Sequence, residues 1–68
     1  MDVGTVLENA KNFVRDSGLT YQEVGEAMGY PESSARQSVS KFLNSPNPSV
    51  KMLIRFAEAL GVEPKELL

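Results

Sequence analysis

Apolar residues near the start of the chain recur at the spacing of one face of an amphipathic helix. They are Val6, Leu7, Ala10, Phe13 and Val14. The segment Thr5-x-x-Glu8 has the form of a capping box with Thr5 as the N-cap, and Asp2 is an alternative cap. Gly18 can adopt the left-handed conformation that commonly ends a helix. The pattern therefore predicts a first helix that ends at Gly18.

The start of a second helix is the clearest local signal in the sequence. Thr20-x-x-Glu23 forms a second capping box, in which each side chain satisfies a backbone amide of the other residue. Two apolar residues flank it at the positions of a hydrophobic staple, Leu19 and Val24. An N-cap of this kind contributes about 1 kcal/mol, which is enough to define where a short helix begins. We predict helix two at about residues 20–28, ending at Gly29.

A break at Tyr30-Pro31 separates the second helix from a third, which we expect to begin between Pro31 and Ser34. This third helix, at about residues 33–44, has two distinct faces. The apolar face carries Ala35, Val39, Phe42 and Leu43. The opposite face carries Ser33, Arg36, Gln37, Ser40, Lys41 and Asn44. That opposite face is polar, and its only charges are positive.

Two further helical segments follow a loop that contains two prolines. Ser49 caps a fourth helix, which ends at Gly61. Its predicted core face carries Val50, Leu53, Ile54, Ala57 and Leu60. A second apolar strip beside that face carries Met52, Phe56 and Ala59. After Gly61, Pro64 stands at the first position of one more predicted helical turn.

These elements predict an all-α fold, a compact five-helix domain that spans residues 1–68. No stretch shows the sustained apolar and polar alternation of a strand. A chain of 68 residues makes one domain. Three aromatic residues at helical spacing are expected in the core: Phe13, Phe42 and Phe56. Phe56 fits this expectation least, because it lies on the second apolar strip of helix four. Tyr30 is expected to pack in the turn.

The composition argues against an enzyme. The chain has no His and no Cys, so the commonest general base, the best thiol nucleophile and any disulfide are absent. The nine carboxylates show no spacing typical of a metal site or an acid/base pair. We expect no catalysis, no cofactor and no metal. The chain also lacks an apolar run near the ~20 residues that span a bilayer, and a signal-peptide pattern, so we expect a soluble cytoplasmic protein.

Charge is distributed unevenly, although the net charge is −2. From Ser33 to Ala57 the chain has no acid and four cations, Arg36, Lys41, Lys51 and Arg55. The rest of the chain has nine acids and three cations, Lys11, Arg15 and Lys65. An acid-free basic stretch in an otherwise acidic chain is typical of a protein that binds nucleic acid with one face.

On these residues the chain resembles the Cro/C1-type (lambda-repressor-like, or XRE) helix-turn-helix family. Residues 18–29, GLTYQEVGEAMG, resemble the family's helix two and the glycine of its turn. Residues 39–42, VSKF, resemble the end of its recognition helix. Pro48-Ser49 followed by residues 53–62, LIRFAEALGV, resembles its fourth helix and the glycine after it. With helix one, the resemblance covers nearly the whole chain.

Three departures from the family pattern affect the predicted interface. Gly25 stands where the family usually has alanine, and Tyr21 replaces a frequent glutamine. The distance from Gly29 to helix four is also longer than usual. Counting forward from Gly29 makes Ala35 the inward residue of helix three, whereas counting back from helix four favours Val39. These registers differ by about one helical turn and present the same polar face, so either an extended turn or a longer helix would reconcile them.

The resemblance implies that helix three lies in the major groove of DNA while helix two crosses the backbone. Arg36 would bridge two acceptors of a guanine, and Gln37 would pair with an adenine. The residues suited to base edges or phosphates are Ser33, Ser34 and Ser40. Those suited to the phosphate backbone are Lys41 and Asn44. Those that would orient the protein on phosphates from the start of helix two are Thr20, Tyr21 and Gln22.

The alternative to a DNA contact for Arg36 and Lys41 is that they are solvated surface charges. For Tyr21 the alternative is that its ring packs on a neighbouring helix. The sequence leaves both the DNA contacts and these alternatives open.

The function expected from the resemblance is sequence-specific binding of double-stranded DNA by a small bacterial or phage transcription regulator, a repressor. We expect a homodimer because one short reading helix gives little specificity. The dimer interface is predicted at Met52, Phe56, Val62, Leu67 and Leu68. Two alternatives are the antitoxin of a toxin–antitoxin pair and a protein-interaction module that has lost DNA binding. The acidic pI of about 4.9 is the best support for the second alternative.

Overall fold

The computed structural model describes residues 3–68, with side chains from residue 4 onward. Across this range the chain forms four α-helices and a final 3₁₀ turn, without a strand. The helices are α1 (Val3–Ser17), α2 (Tyr21–Ala27), α3 (Ala35–Leu43) and α4 (Val50–Leu60), and the 3₁₀ turn is Pro64–Leu67. The all-α prediction is confirmed, and the count of five helices is wrong. The last element is held by hydrogen bonds between residues three apart, such as Glu66 N to Glu63 O at 2.9 Å, so it is a 3₁₀ turn.

Helix α1 begins earlier than the sequence predicted. Val3 and Gly4 are already helical, so Thr5 lies inside the first turn and the capping box at Thr5 and Glu8 is wrong. An N-cap residue needs a non-helical backbone, which Thr5 does not have. The alternative cap, Asp2, lies outside the described residues. The helix ends as predicted, at Gly18 with a φ of 75°.

Helix α2 begins at the predicted cap. The Glu23 amide donates to Thr20 Oγ1 at 3.1 Å, and the Thr20 amide donates to Glu23 Oε1 at 3.0 Å. Both halves of the capping box are therefore present. The helix ends at Ala27, and Gly29 follows with a φ of 99°.

The connection between α2 and α3 is long, which resolves the two registers of the third helix. Helix α3 does not begin until Ala35, and residues 28–34 form an extended turn that includes a bond from the Ser34 amide to Pro31 O at 3.0 Å. Ala35 and Val39 are both completely buried, one turn apart. The longer distance thus comes from the turn, and α3 is shorter at both ends than the predicted residues 33–44.

Helices α2 and α3 pack closely because of Gly25. A Cβ built on Gly25 would lie 2.7 Å from Ala35 Cβ and would collide with the Ala35 carbonyl. Real Cβ atoms do not approach backbone this closely, so only glycine permits this packing. Glycine at position 25, in place of the family's alanine, therefore lets α3 pack directly against α2.

Helix α4 is rotated relative to the predicted core face. Val50 and Ile54, predicted to be in the core, are 67% and 39% exposed. Phe56, placed on the second strip, is completely buried, and its ring centre lies 5.3 Å from that of Phe42. Because the helix carried two adjacent apolar strips, its own sequence could not define the inward one.

The 3₁₀ turn closes the core from the side of α1. Leu67 is 1% exposed, and its carbonyl accepts a hydrogen bond from Asn9 Nδ2 at 3.0 Å. The buried residues of all four helices and this turn form one cluster. This single core fixes the orientation of α3, whose outer face carries the candidate site.

Candidate nucleic-acid interface

The outer face of α3 is the polar face that the sequence predicted. The four apolar residues on the inner face of α3 are buried. On the outer face, Arg36, Gln37, Lys41 and Asn44 are exposed and Ser40 is half-buried. Ser33 and Ser34 were included in the predicted helix at about residues 33–44, but they lie in the turn before it. Because the apolar face of α3 is buried in the core, its polar face is directed outward.

A shallow depression joins this face to the start of α2. It has a volume of about 460 Å³ and is lined by Tyr21, Arg36, Gln37, Ser40 and Lys41. All five were predicted DNA contacts, and the structure brings them together. Tyr21 is half-buried and packs against the core cluster from the start of α2. Its ring therefore packs on the core, and it also borders the depression.

The cations of this depression are not neutralised by the protein's own acids. Within residues 3–68 the ion pairs are Arg15 with Asp16 and Lys65 with Glu63, both on the solvent-exposed surface. Arg36 and Lys41 are exposed and take part in neither pair. They are available to an external anion, which is what phosphate binding requires.

The start of α3 differs from the starts of α2 and α4. Thr20 and Ser49 cap their helices through their side chains, the latter by accepting from the Met52 amide at 3.1 Å. Ser34, the N-cap of α3, makes no such bond, and its hydroxyl lies 3.5 Å from Pro31 O. The first amides of α3 therefore lack a side-chain acceptor, and the positive end of the helix dipole is open to an anion.

Gln22 is placed differently from its predicted role. Its Nε2 donates to Glu32 O at 2.8 Å and to Glu26 Oε2 at 3.2 Å. An amide with two acceptors of its own has no N–H left for a phosphate. Gln22 instead ties the start of α2 to the extended turn, a contact across ten residues that the sequence did not reveal.

Two other predicted contacts are partly engaged within the protein. Asn44 Nδ2 donates to Ser40 O at 2.8 Å, at the end of α3. Thr20 Oγ1 accepts from the Glu23 amide, which leaves its hydroxyl proton free to donate. Thr20 thus keeps its hydroxyl proton, and Asn44 keeps a second N–H and its Oδ1.

A second concavity lies on the other side of Lys41, between α3 and the start of α4. Its volume is about 380 Å³, and its polar rim includes residues that the sequence analysis did not single out, Ser38, Ser45 and Asn47. Ser38 belongs to neither predicted face of α3, and the loop residues Ser45 and Asn47 flank Pro46, so no periodicity marked them. Lys41 therefore stands on a ridge between two depressions.

The basic stretch of the sequence does not form one surface. Arg55 lies in a hollow with the end of α2, beside Glu58. Lys51 is exposed on α4 and lines neither depression beside Lys41. Only two of the four cations, Arg36 and Lys41, therefore meet at the candidate site.

The residues predicted for a dimer interface are separated by the fold. Phe56 and Leu67 are buried in the core of one chain, so the prediction is corrected at both: they offer no side-chain surface to a second copy. Met52 and Val62 are half-buried, and Leu68 is 69% exposed. The most exposed apolar side chains of α4 are instead Val50 and Ile54.

Four short helices, a capped α2, a turn and an outward polar α3 define the helix-turn-helix class of DNA-binding fold. A family model described as helix-turn-helix matches residues 12–67. The chain therefore belongs to the helix-turn-helix family of Cro/C1 (XRE-like) type. No curated protein and no solved structure matches it. Among residues 3–68, no helix is long and apolar enough to cross a membrane.

Proposed function

We propose that this chain binds double-stranded DNA in a sequence-specific manner and acts as a transcriptional repressor of bacterial or phage type. One observation carries the proposal: the depression lined by Tyr21, Arg36, Gln37, Ser40 and Lys41 combines two unpaired cations with amide and hydroxyl groups. Membership of a DNA-binding family supports the same conclusion. Repression is proposed because binding over a promoter is sufficient for it.

In the proposed complex, α3 lies in the major groove and α2 crosses the phosphate backbone. Arg36 donates two hydrogen bonds to a guanine, and Gln37 pairs with an adenine. The open amides at the start of α3 and the Thr20 hydroxyl bind phosphates, which positions the helix without reading sequence. Lys41, on the ridge, binds the backbone of one strand.

We further propose that two copies bind a palindromic site. A single reading helix of nine residues contacts few base pairs, and a two-fold dimer doubles that number. The exposed apolar side chains of α4, Val50 and Ile54, together with Leu68 are the surface for the second copy. Sedimentation of the free protein and of its DNA complex tests this: a monomer at high concentration in both would contradict it.

The DNA-binding proposal is tested with Arg36→Ala combined with Lys41→Ala. Wild type should enrich a common site from random duplexes at low salt, and the double variant should lose that binding while its thermal unfolding stays unchanged. Both side chains are exposed, so their removal costs the fold little. A matched control, Arg15→Ala with Lys65→Ala, removes the same charge from exposed residues that do not line the depression and should retain binding.

The same experiment separates the DNA-binding functions from a protein-interaction module, and a toxin gene beside the gene of this chain would separate the antitoxin from the repressor. An antitoxin also loses DNA binding in the double variant, but it additionally binds a toxin through the apolar surface of α4. A protein-interaction module that lacks DNA binding gives no enriched site even as wild type. The acidic pI of about 4.9 favours that module, and the unpaired cations of the depression favour DNA.

A further inference from the structure

The extended turn before α3 presents one carboxylate, that of Glu32. It is the last acid before the acid-free stretch that begins at Ser33. Its side chain is exposed, and among the residues described here no hydrogen bond or ion pair occupies its carboxylate. A free carboxylate beside the proposed phosphate-binding surface would weaken binding by repulsion unless it makes a specific contact of its own.

The backbone of Glu32 is held firmly, although its side chain is free. Gln22 Nε2 donates to the Glu32 carbonyl at 2.8 Å, and the Ser34 amide donates to Pro31 O at 3.0 Å. Tyr30, just before, is held by its amide to Gly25 O at 3.0 Å and by its hydroxyl to Met52 Sδ at 3.4 Å. The turn thus fixes the Cα of Glu32 relative to both α2 and α3.

Glu32 lies in the turn just before the part of a reading helix that meets the bases. Residues at the N-terminal end of a recognition helix contact base edges in the major groove. Glu32 lies two residues before the N-cap of α3. Its carbonyl accepts a hydrogen bond from Gln22, which follows Tyr21, a residue that lines the depression. A carboxylate accepts hydrogen bonds only, and in the major groove the exocyclic amine of cytosine is the donor that a carboxylate reads.

We propose that Glu32 is a specificity-determining residue that selects cytosine, its carboxylate accepting a hydrogen bond from the N4 amine. The inference rests on the proposed DNA binding. Glu32 discriminates in two ways: it stabilises the complex at a cytosine, and it repels the acceptor groups of the other bases, which are O6 and N7 of guanine, O4 of thymine, and the N7 that adenine presents beside its own amine. The bond from Gln22 to the Glu32 carbonyl holds the backbone from which the carboxylate extends.

The test compares the sites selected from random duplexes by wild type and by Glu32→Gln, at one stated low salt concentration. Wild type should enrich cytosine at one position of its site or of each half-site. The variant should lose that cytosine and keep the other positions, and its affinity for the wild-type site should fall about tenfold, within the range for a base-reading pair. Glu8→Gln, which removes the same charge from α1, should leave the selected site unchanged.

Three results would overturn the inference, and they differ in what else they affect. If Glu32→Gln tightens binding to all duplexes equally, Glu32 only repels phosphates. If site and affinity are both unchanged, its carboxylate only faces solvent. In both cases the proposed function stands. If wild type binds no duplex, the inference and the proposed function fail together. Thermal unfolding of the variant, expected to equal that of wild type, excludes a folding defect.

Discussion

The outer surfaces of α3 and α4 are both left uncovered by the residues that the structure describes, but they differ in chemistry. Helix α3 presents cations, amides and hydroxyls, and it is held by close packing at Gly25 and by the Gln22 bond to its preceding turn. Helix α4 presents the apolar side chains of Val50 and Ile54. Hydrogen bonds are directional, so a surface that reads bases must be fixed. Apolar contact is not directional and needs only area.

The largest effect should come from the inner side of α4. Phe56→Ala removes a completely buried ring that packs on Phe42, and we expect a loss of about 3–5 kcal/mol in the free energy of unfolding. Ile54→Ala, two residues away on the outer side, should cost well under half of that because Ile54 is 39% exposed. Urea denaturation followed by circular dichroism measures both. Equal losses would contradict the observed rotation of α4.

The next effect should come from the packing of α2 on α3. Gly25→Ala adds a methyl group against the Ala35 carbonyl, which cannot rotate away, and overpacking of this kind costs about 1–3 kcal/mol. The gain in helix propensity, about 1 kcal/mol, offsets only part of this cost. We expect a net loss of stability and weaker DNA binding.

The control for Gly25 is Gly18→Ala. A Cβ at Gly18 meets nothing within 4 Å, so this variant reports only the strain of a positive φ, about 1 kcal/mol. It should leave DNA affinity unchanged once both proteins are folded. A Gly25→Ala variant more stable than wild type would show that α3 is not held as closely as described.

The smallest effect should distinguish the starts of α2 and α3. Thr20→Ala removes both a side-chain cap and its capping box, and should cost about 1 kcal/mol of stability. Ser34→Ala should cost less, because Ser34 makes no cap bond to α3. Thermal unfolding of the two variants side by side gives the answer. If Ser34→Ala were the more damaging, the first amides of α3 would not be open to a phosphate.

Features that depend on neighbouring residues alone were predicted well. The capping box at Thr20 and Glu23 involves atoms three residues apart, and the polar and apolar faces of α3 follow from one periodic pattern. A local motif is still insufficient when a longer helix includes it. Thr5 and Glu8 have the same spacing, but α1 already begins at Val3.

Features that depend on distant residues were not predictable in the same way. Helix α4 carries two apolar strips, and Phe56 lies inside because it packs on residues distant in sequence, such as Phe42. The bond from Gln22 to Glu32 joins α2 to a turn whose shape no propensity gives. The residues that line the depression were nevertheless predicted, because they share one face of α3 and the capped start of α2.

The contact between Gly25 and Ala35 has a consequence for redesign of this molecule. Ala35 is completely buried there, and Arg36, a proposed base contact, is the next residue along the chain. Enlarging either member of the pair would push the two helices apart and carry the guanidinium away from its target. A library meant to alter operator preference should therefore vary Glu32, Arg36 and Gln37 while both small residues stay constant.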